Sequence, residues 1–194
     1  WKGCNKSLIV TATKLQTINP ATEEILNSYE IVTDEMIKES VRKAGEAYSE
    51  WKKDIDKRAE LLLAFAAEFK KNKENLAKTA SQEMGKAIKE SRSEVEKCAL
   101  VMEYYADNGK NFISDQMVNT DARKSFIAFE PIGVIGSIMP WNFPYWQALR
   151  FAAPSLMVGN TIILKPASAT IQCGIEIEKN FEKAGFSNAV FQTL

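Results

Sequence analysis

Residues 132 to 191 constrain the fold most, because there the chain alternates short apolar runs with longer helical patterns. Pro131 introduces Ile132-Gly133-Val134-Ile135-Gly136-Ser137-Ile138-Met139, nearly all apolar or small, as expected of a parallel strand covered on both faces. A helix is expected from about Pro144, a strand at Thr161 to Leu164, a helix from about Ala169 to Ala184, and a strand at Ala189 to Phe191. Strand starts fall roughly 28 residues apart, the signature of a doubly wound α/β sheet. Gly159 and Gly185 stand where these helices need C-caps. Pro154 conflicts with the first helix, which it should kink or split.

The residues before this region read differently. Asn19-Pro20-Ala21-Thr22 is turn chemistry, and a short strand-like stretch follows from Ile25 to Val32. Thr33 is suited to cap a helix whose first turn holds Asp34 and Glu35, with Ile37, Val41, Ala44, Tyr48 and Trp51 forming one buried face. Two more helices are expected at about Asp56 to Lys71, with Leu61, Leu62, Phe65 and Phe69 inward, and at Glu74 to Met84, closed by Gly85. A long helix from about Ala87 to Asp107 places Ile88, Val95, Cys98, Ala99, Met102 and Tyr105 on one side, and its charged positions are expected to face water. From Ile113 to Phe129 two alternating stretches flank Asn119-Thr120-Asp121, which predicts a β-hairpin. Three parts follow: helices over residues 1 to 112, a hairpin over 113 to 130, and the start of a parallel sheet over 131 to 194.

Composition removes several classes of function. Lys plus Arg number 25 and Asp plus Glu 25, so no global field favours nucleic acid or an anionic membrane. No apolar run approaches the roughly 20 residues that span a bilayer, and no signal-peptide pattern opens the chain, so the expected location is cytoplasmic. Cys4, Cys98 and Cys173 form no CxxC pair, and an odd count suits free thiols and no metal site. The absence of histidine excludes Ser-His-Asp, Cys-His and His-ligated zinc mechanisms. The chain opens on Trp1, not methionine, and residues 1 to 14 carry little weight in the prediction.

Ligands of open α/β sheets bind beyond the carboxyl ends of the strands, where Pro140-Trp141-Asn142 and Lys165-Pro166-Ala167-Ser168 stand. No G-x-G-x-x-G follows the first strand, so an ordinary Rossmann phosphate loop is not supported. Asn142 can offer its amide N–H to an oxygen gaining charge, or it can cap the next helix; position alone leaves both open. Lys165 can bind nucleotide hydroxyls or phosphate, or be a solvated strand-end lysine. Arg150, eight residues after Asn142 and just over two helical turns on, can share its face and grip a carboxylate, or make a structural ion pair. Tyr145 and Trp146 can wall a substrate channel, although aromatic residues near a helix start more often belong to the core.

Glu130-Pro131-Ile132-Gly133-Val134, Pro140-Trp141-Asn142-Phe143-Pro144 and Gly159-Asn160-Thr161, running into Leu164-Lys165-Pro166-Ala167-Ser168, resemble the aldehyde dehydrogenase superfamily in order and spacing. Asn19-Pro20-Ala21-Thr22 and Glu83-Met84-Gly85-Lys86 also fit, so the resemblance covers about residues 17 to 194. It implies an aldehyde-dehydrogenase-like α/β fold: amino-terminal helices, a partial doubly wound parallel sheet, and a hairpin at 113 to 130 that acts as an oligomerisation arm. It also implies NADP or NAD as cofactor, an aldehyde as substrate, and a homodimer or homotetramer. Asn142 would stabilise the oxyanion of a cysteine thiohemiacetal. Lys165 would bind the adenosine ribose, and Ile138, Met139, Pro140 and Trp141 would line the cofactor cleft with Pro166, Ala167 and Ser168. Ser168 stands where NAD-preferring relatives often carry glutamate, which leaves room for the extra phosphate of NADP.

The run from Phe143 to Pro154 resembles the succinate-semialdehyde branch, in which the arginine at Arg150 would hold the distal carboxylate. One departure accompanies the match. The family's nucleophilic cysteine and general-base glutamate belong to sequence beyond Leu194, and none of the three cysteines has the nucleophile's context. An inactive amino-terminal portion of an enzyme is therefore expected. The alternatives are a non-catalytic nucleotide-binding or interaction module, and a dehydrogenase for another aldehyde.

Overall fold

The computed structural model describes residues 14 to 194, and Cys4 lies outside them. The elements in chain order are β1 (Lys14–Ile18), β2 (Ile25–Glu30), α1 (Asp34–Trp51), α2 (Ile55–Lys71), α3 (Lys73–Met84), α4 (Ile88–Phe112), β3 (Gln116–Met117), β4 (Phe126–Ile127), β5 (Val134–Ile138), α5 (Pro144–Val158), β6 (Thr161–Lys165), α6 (Ile171–Lys183) and β7 (Phe191–Thr193). β1 and β2 pair antiparallel around the Asn19 turn, where Asn19 Oδ1 accepts from the Ala21 N–H at 3.0 Å.

β5, β6 and β7 form a parallel sheet in that order, joined by α5 and α6. Right-handed crossovers in one direction put both helices on the same face. α1 lies against all three strands, while α2, α3 and α4 pack behind α5 and α6 as a further layer. One contiguous core runs through this stack, so residues before and after the hairpin share their buried surface. Phe181 is its hub, with ring centroids 4.0 Å from Phe65, 4.5 Å from Phe191 and 4.7 Å from Phe186. Full burial of each such side chain contributes roughly 1.5–3 kcal/mol.

The helix ends follow the expected chemistry. Thr33 Oγ1 accepts from the Met36 N–H at 3.3 Å, and Gly85 closes α3 at φ 81°. α5 and α6 end in Schellman motifs: Asn160 N–H donates to Ser155 O at 3.0 Å, and Phe186 N–H to Phe181 O at 3.1 Å. Gly159 is required twice over, by its φ of 112° and because a Cβ there would lie 3.2 Å from the Lys52 Cα.

Several expectations are corrected. The strand after Pro131 is not covered on both faces: β5 is an edge strand of the described sheet, with Ile138 at its end 81% exposed and Ile132 just before it 87%, whereas the central β6 is buried up to Lys165. Of the kink or split expected at Pro154, the split is absent, since α5 continues through it to Val158. The inward stripe of α1 is incomplete, since Ala44 and Trp51 are buried but Ile37 and Val41 are exposed. α4 runs five residues beyond Asp107, to Phe112, and the hairpin pairs only Gln116 with Ile127 and Met117 with Phe126. Not every charged position of α4 faces water, because Glu94 is buried. No helix among the described residues is long and apolar enough to cross a membrane.

Candidate active site

The carboxyl ends of β5 and β6 lie side by side, with Ile138 in register with Lys165 and the Met139 N–H donating to Lys165 O at 3.2 Å. From there Pro140, Trp141 and Asn142 lead into α5, and all three are exposed. The helix begins at Pro144 with Phe143 as its N-cap, and no side chain at the cap position bonds to the first turn. Asn142 is therefore not the helix cap that its residue type allows.

Glu94 of α4 does the capping. Its Oε1 accepts from the N–H groups of Tyr145 and Trp146, each at 2.9 Å, satisfying the second and third helical residues as a local cap would. Its other oxygen pairs with the Lys86 ammonium, and the two side chains are 1% and 5% exposed. The Lys86 Nζ also sits 4.6 Å from the centroid of the Phe143 ring. Glu83 of α3 repeats the arrangement at α6, accepting from the N–H groups of Gln172 and Cys173 at 3.0 Å. Burial pushes the Glu83 carboxyl above its ordinary range, against the two N–H groups, which pull it down. Arg58 of α2 serves the opposite end of α5, where its guanidinium donates to Met157 O at 2.9 Å and Val158 O at 3.5 Å, and also to Trp51 O at 3.0 Å at the end of α1.

With its cap supplied from outside, the Asn142 amide makes no hydrogen bond among the described residues and opens on a groove of about 780 Å3. Phe143, Trp146 and Gln147 of the same segment line this groove, with Lys89 and Lys97 facing them from α4. The Lys97 ammonium lies 4.0 Å over the Trp146 ring, and neither lysine makes an ion pair among the described residues. Trp146 is thus at a groove wall. Tyr145 is not: it is fully buried, its hydroxyl donates to Leu76 O at 3.0 Å, its ring meets Phe69 edge-on, and burial holds its phenol well above the usual range. Arg150 is exposed and does not line the groove, although it lies on the same helix.

Lys165 lines a second groove, of about 550 Å3, with Tyr29, Ile31, Ile171 and Ile175. Its ammonium has no carboxylate partner among the described residues. Pro166 is buried, Ala167 half-buried and Ser168 exposed; Ile138, Pro140 and Trp141 are exposed and Met139 is half-buried, and none of the four lines either groove. An exposed ammonium with an exposed neutral hydroxyl three residues further along suits a phosphate-bearing ligand, and a carboxylate at position 168 would oppose it. Cys98 and Cys173 are fully buried, and desolvation pushes both thiols well above their ordinary range.

The model of the aldehyde dehydrogenase family matches residues 9–194. The chain belongs to that family. This aldehyde dehydrogenase chain is 40% identical over 181 residues to "Probable succinate-semialdehyde dehydrogenase", designated NADP(+), of Synechocystis sp., covering 93% of the chain and 40% of the relative. It is 35% identical over 185 residues to a succinate-semialdehyde dehydrogenase, also designated NADP(+), of Mycobacterium avium, covering 93% and 39%. The crystal structure of succinic semialdehyde dehydrogenase from Streptococcus pyogenes in complex with NADP+ superposes with a TM-score of 0.89 at 31% identity, covering 93% of this chain and 40% of that one. The aldehyde dehydrogenase chain thus spans about 40% of the length of the relatives it matches.

Glu94 and Lys97 were not singled out by sequence reasoning, and Glu83 and Lys86 entered only as the ends of a motif, with no role assigned. A signal for the acids was present: Glu94, Cys98 and Met102, like Leu76, Ala80 and Glu83, recur at helical spacing along an apolar stripe. A carboxylate on such a stripe needs a buried donor.

Proposed function

We propose that this chain supplies the oxyanion site and one wall of the cofactor cleft of an NADP- or NAD-dependent aldehyde dehydrogenase that oxidises succinate semialdehyde to succinate. The observation that carries this is the free Asn142 amide at the exit of β5, opening on a groove because Glu94 has taken over the capping of α5. When a cysteine thiolate attacks the aldehyde carbon, the new S–C bond leaves a negative oxygen, to which the Asn142 N–H donates. Removing one such donor typically lowers kcat by about 10²–10³-fold. Cys98 and Cys173 do not supply the thiolate, since both are sealed in the core as protonated thiols.

The fit of Lys165 and Ser168 to a phosphate-bearing nucleotide supports NADP, as do the names of the relatives. That cofactor, when bound, accepts the hydride lost by the aldehyde carbon. Lys165 would bind its ribose or phosphate, and Ile138 to Trp141 with Pro166 and Ala167 would form the adjacent wall. Arg150, exposed and without a carboxylate partner among the described residues, is the proposed receiver of the distal carboxylate. The hairpin carries exposed Met117, Phe126 and Ile127, which supports its role as an arm between subunits.

The test is to express the complete reading frame and compare succinate semialdehyde with an uncharged aldehyde of equal length. Asn142→Ala should lower kcat for both by about 10²-fold or more. Arg150→Ala should raise KM for the charged substrate alone; an equal loss on both refutes the carboxylate role.

A further inference from the structure

We propose that the buried Lys86–Glu94 pair is a positioning clamp for Asn142, a role that rests on the oxyanion function given above. Asn142 has no hydrogen bond of its own among the described residues, so its place is set by its neighbours. On the carboxyl side this pair grips three of the next four residues: Glu94 Oε1 holds the N–H groups of Tyr145 and Trp146 at 2.9 Å, and the Lys86 ammonium rests 4.6 Å from the Phe143 ring. On the amino side the Met139 N–H is tied to Lys165 O at 3.2 Å. Only Pro140, Trp141 and Asn142 lie between the two anchorages, and Pro140 and Pro144 restrict the backbone on either side of the asparagine.

The arrangement is more than a local helix cap. A serine or aspartate at position 143 would satisfy the same N–H groups with no buried charge. Here the acceptor comes from a different helix, 51 residues away in sequence from Tyr145, and its charge is matched by a cation from a third segment. Buried ion pairs add little net stability compared with neutral groups of similar volume, but they are directional. The pair therefore fixes the start of α5 against α4, the helix that forms the opposite wall of the Asn142 groove. A displacement of about 1 Å at an oxyanion donor can cost about 10²-fold in rate.

A double-mutant cycle in the complete enzyme tests this. Lys86→Met with Glu94→Gln replaces the pair by neutral groups of similar size and keeps an oxygen for the helix N–H groups. Steady-state kinetics, thermal unfolding and calorimetric titration with NADP are measured for this double variant, for Asn142→Ala and for the combination. The expected result is a fall in kcat of about tenfold or more, with NADP affinity and KM changed by less than about twofold. In the Asn142→Ala background the same changes should cost less than about twofold more, because the group being positioned is already gone. Multiplying losses overturn the clamp and make the pair a purely structural element. Full activity of Asn142→Ala instead overturns the oxyanion function itself, and the clamp with it. If the double variant does not fold, Phe143→Leu, at an exposed position beneath the Lys86 ammonium, replaces it in the cycle. Its expected loss in kcat is about three- to tenfold, again absent when Asn142 is alanine, and a loss that persists there counts against the clamp.

Discussion

Replacing Arg58 by methionine should destabilise the fold by about 2–4 kcal/mol, a figure that follows from what its guanidinium satisfies. Arg58 is buried, and burial lowers its pKa, with the Asp54 charge opposing that shift. Two of its hydrogen bonds are short, to Met157 O at 2.9 Å and Trp51 O at 3.0 Å; the third, to Val158 O at 3.5 Å, is weak. Methionine keeps most of the apolar volume but leaves the two carbonyls at the ends of α5 and α1 unpaired, at about 1–3 kcal/mol each. The recovered desolvation cost of a buried cation offsets part of that. Lysine retains the charge but reaches fewer acceptors, so Arg58→Lys should lose roughly half as much. Urea unfolding followed by tryptophan fluorescence reads both variants, since Trp51 lies beside the site. If Arg58→Met falls within about 0.5 kcal/mol of the parent, these helix ends do not depend on the guanidinium.

Lys97→Met should weaken the use of a carboxylate-bearing aldehyde and leave the uncharged analogue unchanged, separating its contribution from that of Arg150; equal effects on both substrates would refute an electrostatic role for the groove lysines. Cys98 and Cys173 should resist alkylation at pH 8 in the native state and react on unfolding, and rapid native labelling of either by peptide mapping contradicts the packing described. Because the folded Glu83 pKa is raised, the stability linked to its proton is present below the ordinary carboxylate range and is lost as pH rises through the raised value. The stability of the parent relative to Glu83→Gln should therefore fall as pH rises above the ordinary carboxylate range in denaturant titrations, and a constant difference excludes the linkage. Removing residues 115 to 129 should reduce self-association in sedimentation velocity, and an unchanged distribution counts against the arm.

The fold was legible wherever periodicity and cap chemistry coincide. Thr33, Gly85, Gly159 and Gly185 marked helix boundaries because each has a local job that residue type reveals. Exposure was less legible, since the identical apolar alphabet of β5 and β6 says nothing about which strand is outermost in the sheet. The motif residues around Asn142 and Lys165 were visible as residues following strands. What frees Asn142 was not, because Glu94 reaches the Tyr145 N–H across 51 residues from a helix most of whose other charges do face water, and distance in sequence hides such a partner. Tyr145 was ambiguous for a related reason: its hydroxyl partner, Leu76 O, is a backbone atom on α3 that no side-chain pattern announces.

Glu83, Glu94 and Arg58, which finish the ends of α5 and α6, all precede those helices along the chain. On a ribosome the helical layer emerges first, already carrying the anions and the cation that complement the later dipoles. The crossover helices thus dock onto a prepared template, and a lesion in the early layer would surface as misassembly of the sheet made after it.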